Sequence, residues 1–307
     1  MQSIEAAGLR VSRIGLGTWQ FGSREWGYGD AYAREVAPAL VRRAIELGIS
    51  LIDTAEVYGP GASERIIGAA LADLGRAADG VVVATKFMPV APLASILARQ
   101  AAGSRRRLGV DTLDLYYAHW PNPFVSARRV MQSVRPLVAA GLVRRVGVSN
   151  YSLAQWQEAE RSLESPVVAN QVPFSLADPG AADELIPWAS AHDRLVVAYS
   201  PLGQGLLAGT TSPSGRDLRT MSPRFRPGSV TRLSPLVQAV REVAHAHGAT
   251  PAQVALAWVL HHPNTVAIPG ARTIEQLEEN AAAADLVLAD DEAARLAGLA
   301  REVAAAR

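Results

Sequence analysis

A chain of 307 residues with 49% hydrophobic and 19% charged residues has the composition of a globular protein with a sizeable core. Its formal net charge of +1 leaves no electrostatic footprint for nucleic acid or an acidic membrane surface. Without cysteine it can build no disulfide framework, thiolate metal site or thiol nucleophile. The first seven residues lack the basic and apolar regions of a signal peptide, and no apolar run is long enough to span a bilayer. The expectation is a cytoplasmic protein.

Residues 2–12 hold short extended pieces around Ala6-Ala7-Gly8, which predict a hairpin turning at the glycine. Strand and helix patterns then alternate. Residues 13–17 read as a strand and 34–47 as a helix, with Leu40, Val41, Ala44 and Ile45 on one face and Gly48 as its stop. A strand at 51–53 precedes a helix at 63–74 with Ser63 as candidate N-cap. The strand 81–86 follows, then a helix at 92–108 and a strand at 112–117. The scheme repeats with a helix at 126–140 stopped by Gly141, a strand at 145–148, a helix at 152–162 and a strand at 167–171. A helix at 179–191 leads to a strand at 195–199. Residues 209–235 are rich in Gly, Pro, Ser, Thr and Arg, and a loop that long reads as a functional lid or a disordered segment. After a helix at 236–247, Thr250-Pro251-Ala252-Gln253 opens another with a capping box and proline at the first helical position. A strand at 265–268 and helices at 273–284 and 291–305 close the chain.

Eight strands alternating with helices imply a parallel sheet with helical crossovers. The rival to a closed barrel is a doubly wound open sheet. Gly15-Leu16-Gly17-Thr18-Trp19-Gln20-Phe21-Gly22 misses the dinucleotide-binding glycine spacing, and no helix follows it directly. The predicted fold class is therefore α/β, a (β/α)8 TIM barrel with an N-terminal β-hairpin and an extra C-terminal helix, residues 1–307 forming one domain.

In such a barrel, chemistry sits where strands hand over to the following loops. The strand ends here carry Asp53 to Tyr58, Lys86, His119-Trp120, Ser149-Asn150, Asn170-Gln171 and Tyr199-Ser200-Pro201-Leu202. Lys86 is the only lysine among the 30 Lys plus Arg, and an ammonium differs from a guanidinium in having a movable pKa. A phenol near pKa 10 is a poor acid at neutral pH, but a neighbouring ammonium stabilises its phenolate and a carboxylate can hold that ammonium in place. Asp53, Tyr58, Lys86 and His119 are thus a candidate proton-transfer set, with Lys86 expected to bring Tyr58 down into range for general acid catalysis and His119 to polarise the reacting oxygen.

The segments Gly15-Leu16-Gly17-Thr18, Asp53-Thr54-Ala55-Glu56-Val57-Tyr58-Gly59, Leu113-Asp114-Leu115-Tyr116-Tyr117-Ala118-His119, Gly147-Val148-Ser149-Asn150-Tyr151, Tyr199-Ser200-Pro201-Leu202 and Ile268-Pro269-Gly270-Ala271 resemble the aldo-keto reductase superfamily. They come in the family's order and span almost the whole chain. The resemblance implies an NADP(H)-dependent oxidoreductase acting on a small-molecule carbonyl substrate, with Asp53, Tyr58, Lys86 and His119 as its catalytic tetrad. It also implies that Ser149, Asn150 and Gln171 hold the carboxamide and that Tyr199 stacks on the nicotinamide. The backbone around Leu202, Gly203 and Gly205 would approach the pyrophosphate, and Arg272 would pair with a 2′-phosphate, with Gln276, Glu279 and Asn280 around the adenosine. Gly17, Thr18, Trp19, Asp53, Ser200, Pro201, Ile268 and Gly270 complete the implied cofactor wall. Two positions depart from the pattern: Gln276 is neutral where some relatives carry a cation, and Pro173-Phe174 follows Asn170-Gln171 where many carry tyrosine.

Trp26, Phe87 and Trp120 are read as substrate-pocket lining, and Phe174 as either lining or core. Arg105-Arg106-Arg107 reads as an exposed helix end. His245, His247, His261 and His262 read as solvated or capping residues, and no metal site is expected. Two other functions stay open at this point: a Schiff-base aldolase using Lys86, and a non-catalytic NADP-binding regulatory subunit. Neither the substrate nor the oligomeric state is legible in these patterns.

Overall fold

The computed structural model describes residues 1–22, 31–209 and 225–305. The predicted hairpin is β1 (Ser3–Ala6) and β2 (Leu9–Ser12), paired antiparallel about Ala7 and Gly8. The barrel strands are β3 (Leu16–Gly17), β4 (Leu51–Asp53), β5 (Val82–Phe87), β6 (Leu113–Ala118), β7 (Val143–Ser149), β8 (Val167–Pro173), β9 (Leu195–Tyr199) and β10 (Thr265–Ala267). All neighbours pair in parallel in chain order. The remaining edge closes by bridges Ile14↔Ala267 and Gly17↔Gly270, with Gly15 N donating to Ala267 O (2.8 Å) and Gly17 N to Pro269 O (3.0 Å). The predicted (β/α)8 barrel is therefore the observed one.

Helices α1 (Ala37–Glu46), α2 (Ala62–Leu74), α3 (Ala94–Leu108), α4 (Ala127–Ala139), α5 (Leu153–Leu163), α6 (Leu185–Ala191), α7 (Pro227–Ala246), α8 (Pro251–His261), α9 (Ile274–Ala282) and α10 (Asp290–Ala305) follow the predicted order. Among the described residues no helix is long and apolar enough to cross a membrane. Helix α1 continues a single π-turn, Tyr32–Val36, and stops before Gly48, whose φ of +80° favours glycine. Helix α8 opens as predicted, with the Thr250–Gln253 capping box and Pro251 in its first turn.

Three local expectations are corrected. Ser63 is not the N-cap of α2; that position is Gly61, and the Ser63 hydroxyl instead bonds Thr18 and Thr54 (both 2.8 Å). The helix expected over 179–191 is broken into a short turn at Gly180–Ala182 and the seven-residue α6. Pro187 accounts for the break, because its ring clashes with a helical carbonyl four residues earlier, at Asp183. Conversely, α7 starts at Pro227 rather than 236 and carries Pro235 inside it. The proline removes one backbone bond, but Leu233, Leu236, Val240 and Val243 recur every three or four residues on one buried face.

Side chains alternate across each strand. One set, including Leu51, Ala84, Leu115, Ala169, Leu195, Val197 and Val266, fills the barrel interior, where Ala6, Leu9 and Val11 of the hairpin join it and plug the N-terminal end. The other set meets the helices. The inward positions one layer further up are Asp53, Lys86, Ser149, Gln171 and Tyr199, at the C-terminal ends of the strands, and His119 continues the inward face of β6 just past its end.

Candidate active site

Lys86 is fully buried, and its Nζ donates to Asp53 Oδ1 (2.7 Å), Thr54 O (2.7 Å) and Tyr58 Oη (3.3 Å). All three donor positions of the ammonium are taken. Gln171 Nε2 donates to the other carboxylate oxygen, Asp53 Oδ2 (2.7 Å). Burial opposes the charge on Lys86, but Asp53 and Tyr58 outweigh it and hold the ammonium above its usual pKa. Burial also raises Asp53, against the pull of Lys86 and Gln171.

Tyr58 corrects an expectation. Burial holds its phenol above the ordinary value; Lys86 draws it down, and Asp53 pushes it up. The hydroxyl thus stays protonated at neutral pH, with an ammonium beside it to receive negative charge. The His119 ring lies edge-on to Tyr58 at 5.8 Å between centroids and stacks on Trp120 at 3.9 Å. Burial first, and the Lys86 charge second, lower the His119 pKa to about 3. It is a neutral imidazole, able to donate one ring N–H.

These groups stand at the base of a cavity of about 920 Å³, within the size range of ligand pockets. Asn150 Nδ2 donates to Ser149 Oγ (3.0 Å) and His119 O (3.3 Å), while Tyr199 Oη donates to Asn150 Oδ1 (2.9 Å). Asn150 and Ser200 adopt φ of +62° and +50°, strained values for non-glycine residues that cluster at functional sites. At the far end α9 begins beside the cavity: Thr273 Oγ1 accepts from Gln276 N (3.3 Å) and Gln276 Oε1 from Arg272 N (2.9 Å). The Gln276 side chain thus reaches past the N-cap Thr273 to the backbone of Arg272.

The predicted residues Gly17, Thr18, Trp19, Asp53, Tyr58, His119, Trp120, Ser149, Asn150 and Gln171 line this cavity. So do Tyr199, Ser200, Pro201, Leu202, Gly205, Ile268, Gly270, Arg272, Gln276, Glu279 and Asn280. Gly203 is buried behind the wall, and Lys86 meets the wall through Asp53 and Tyr58. Phe87 was expected in the substrate pocket and is not there. Lys86 points inward, so its neighbour points outward, and the Phe87 ring packs at 4.9 Å from Tyr116 in the layer beneath the helices. Phe174 likewise belongs to the core, 5.2 Å from Trp258. Trp26 lies outside the described residues. Gln20, Val57, Ala208, Pro251 and Ala252 also line the cavity and were missed. Val57 was signalled by its place beside Tyr58; Pro251 and Ala252 come from a helix start that strand-end reasoning does not reach.

Two further expectations resolve here. Arg107 is no bare surface arginine: it pairs with fully buried Glu64 (2.5 Å), which also accepts from Thr85 Oγ1 (2.7 Å). His247 pairs with Glu292 (2.9 Å), and His262 Nδ1 contacts Trp258 O (3.0 Å).

Residues 13–301 match the Aldo/keto reductase family. The chain belongs to this family. It is 49% identical over 291 residues to a Mycobacterium tuberculosis protein named an uncharacterized oxidoreductase, covering 94% of this chain and 89% of that one. It is 36% identical over 289 residues to methylglyoxal reductase of Escherichia coli, covering 94% and 90%. The aldo/keto reductase from Klebsiella pneumoniae, solved in complex with NADP and acetate, superposes with a TM-score of 0.80 at 34% identity, covering 97% of this chain and 94% of that one. The family resemblance read from six strand-end segments is thus the family found.

Proposed function

We propose that the chain reduces an aldehyde or ketone to the alcohol with NADPH, Tyr58 delivering the proton. The observation that carries this reading is the Asp53–Lys86–Tyr58 chain of short contacts beside a neutral His119 at the base of the cavity. Side-chain amides and hydroxyls of Ser149, Asn150 and Gln171 can donate to and accept from a carboxamide, beside the ring of Tyr199. The backbone near Leu202 and Gly205 would face the pyrophosphate and Arg272 a 2′-phosphate, with Gln276, Glu279 and Asn280 around the adenosine.

Bound NADPH supplies the hydride that the carbonyl carbon accepts. Tyr58 Oη gives its proton to the carbonyl oxygen as the C=O double bond becomes a C–O single bond. The negative charge left on Tyr58 is met by Lys86 Nζ, which Asp53 and Thr54 O hold in place. His119 hydrogen-bonds the same oxygen and orients it. A Schiff-base role for Lys86 needs a neutral amine facing the substrate; this amine is charged, fully bonded and behind the wall.

The test is steady-state NADPH oxidation over a panel of aldehydes and ketones. Turnover is expected with at least one class, and trapping by borohydride is not. Absence of turnover across the panel, with NADPH still bound, would move the chain to the regulatory-subunit reading.

A further inference from the structure

Tyr58 and Lys86 reach the site from different elements, and a side chain outside the cavity joins them. Past β4 the pairing to β5 continues through Thr54 N, which donates to Ala84 O (2.8 Å), and Glu56 N, which donates to Lys86 O (3.3 Å). The chain then turns, Tyr58 N donating to Ala55 O (3.1 Å), so that the phenol comes back over Lys86. Here the Glu56 side chain takes over from the backbone. Its Oε1 accepts from Met88 N (2.8 Å), just past β5, and from Gln100 Nε2 (2.9 Å) on α3. Gln100 also donates to Met88 O (3.2 Å), so Glu56 and Gln100 together hold both backbone groups of Met88.

Glu56 is half-buried and is not part of the cavity wall. The charged groups facing it are Glu64 on α2 and Arg107 on α3, and Tyr116 on β6 senses its charge. Burying a carboxylate costs free energy that an apolar side chain avoids; what this one gains is a grip on the strand end that carries Lys86.

We infer that Glu56 is a positioning residue: its carboxylate ties the loop bearing Tyr58 to the end of the strand bearing Lys86, and so sets the 3.3 Å Tyr58 Oη–Lys86 Nζ separation. It acts through Tyr58 and touches no substrate. The inference rests on the proton-donor reading given above. The ammonium's effect on the phenol falls with distance, so a looser loop makes Tyr58 a weaker acid in a poorer geometry.

The experiment measures kcat against pH for carbonyl reduction, and NADPH affinity by fluorescence quenching, in Glu56→Ala, Glu56→Gln, Gln100→Leu and Tyr58→Phe. Displacing a reacting group by about 1 Å costs about a hundredfold, so Glu56→Ala should lower kcat by about 10- to 100-fold. Its NADPH affinity should stay within about twofold, since the lost contact is made outside the cofactor wall. The alkaline limb of kcat should move to higher pH, because Tyr58 keeps its proton longer away from Lys86. Glu56→Gln keeps an acceptor for Met88 N–H and should restore kcat to within about threefold of the parent. Gln100→Leu loosens the same tie from α3 and should shift the limb the same way with a smaller fall; it carries the test if Glu56→Ala does not fold. Unchanged kcat and an unmoved limb overturn the inference, as does an equal fall in Glu56→Ala and Glu56→Gln with the limb unmoved. Full turnover in Tyr58→Phe removes the proton-donor reading and this inference with it. An inactive Tyr58→Phe beside a normal Glu56→Ala removes only this one.

Discussion

A Cβ built on Gly147 would stand 2.4 Å from Cε1 of Tyr117, so β7 carries glycine where β6 turns a phenol into the barrel. The two residues are register partners, and Tyr117 is also the partner of Lys86 on the other side. The Tyr117 ring therefore forms a floor beneath the proposed catalytic set, and its buried hydroxyl is held well above the usual phenol pKa by burial and by Asp53.

Gly147→Ala should cost about 1–3 kcal/mol, the usual penalty for overpacking a filled core. Urea unfolding measures it. Adding Tyr117→Leu should recover part of that loss, because the ring that collides with the new methyl is gone. If the two changes are simply additive, the collision is not the cause.

Lys86→Arg keeps the charge but replaces a compact ammonium with a planar fork in a site with no exposure and three fixed acceptors. Turnover should fall by about a hundredfold or more, since a 1 Å misplacement alone costs that much. NADPH fluorescence quenching should persist, because Lys86 is not part of the cavity wall. Lys86→Met should instead destabilise by about 3–5 kcal/mol, as it leaves Asp53 buried without its partner.

Lys86 also marks how far the sequence could be read. Strand-end logic brought Asp53, Lys86, His119, Gln171 and Tyr199 together because inward positions recur every second residue and their polar types stand out in apolar strands. The same rule, applied one residue further, would have sent Phe87 to the helix layer. Pro235 misled because helix interiors rarely hold proline, and only the buried face of Leu233, Leu236 and Val240 shows why this one does. Arg107 looked like one cation among many because its partner Glu64 is 43 residues away. Such pairings come from tertiary packing, which local periodicity does not encode.

Arg107→Ala tests that pairing. Glu64 is fully buried and would be left with only the Thr85 hydroxyl. Removing one partner of a buried ion pair costs about 3–5 kcal/mol, so the midpoint of urea unfolding should drop sharply. Glu64→Gln with Arg107→Leu removes both charges and should recover much of the loss. A surface pair would be worth about 0–1 kcal/mol, and a loss that small would place Arg107 in solvent.

His119 gives a pH dependence whose sign follows from its burial. Its folded pKa is about 3, below the free value of 6.5. Between those values the unfolded chain binds a proton that the folded chain does not, so stability falls as pH drops through that window and the loss ends near pH 3. Each pH unit well inside the window is worth up to about 1.4 kcal/mol. His119→Asn removes the titrating ring, so its stability should decline less than the parent's between pH 7 and pH 5, in urea unfolding at matched ionic strength. His119 stays neutral throughout this range in the folded state, so any acid limb in kcat should not arise from it. Parallel stability curves for the parent and His119→Asn would mean that the folded imidazole titrates as the unfolded one does, so that it gains its charge within this pH range and burial does not hold it neutral.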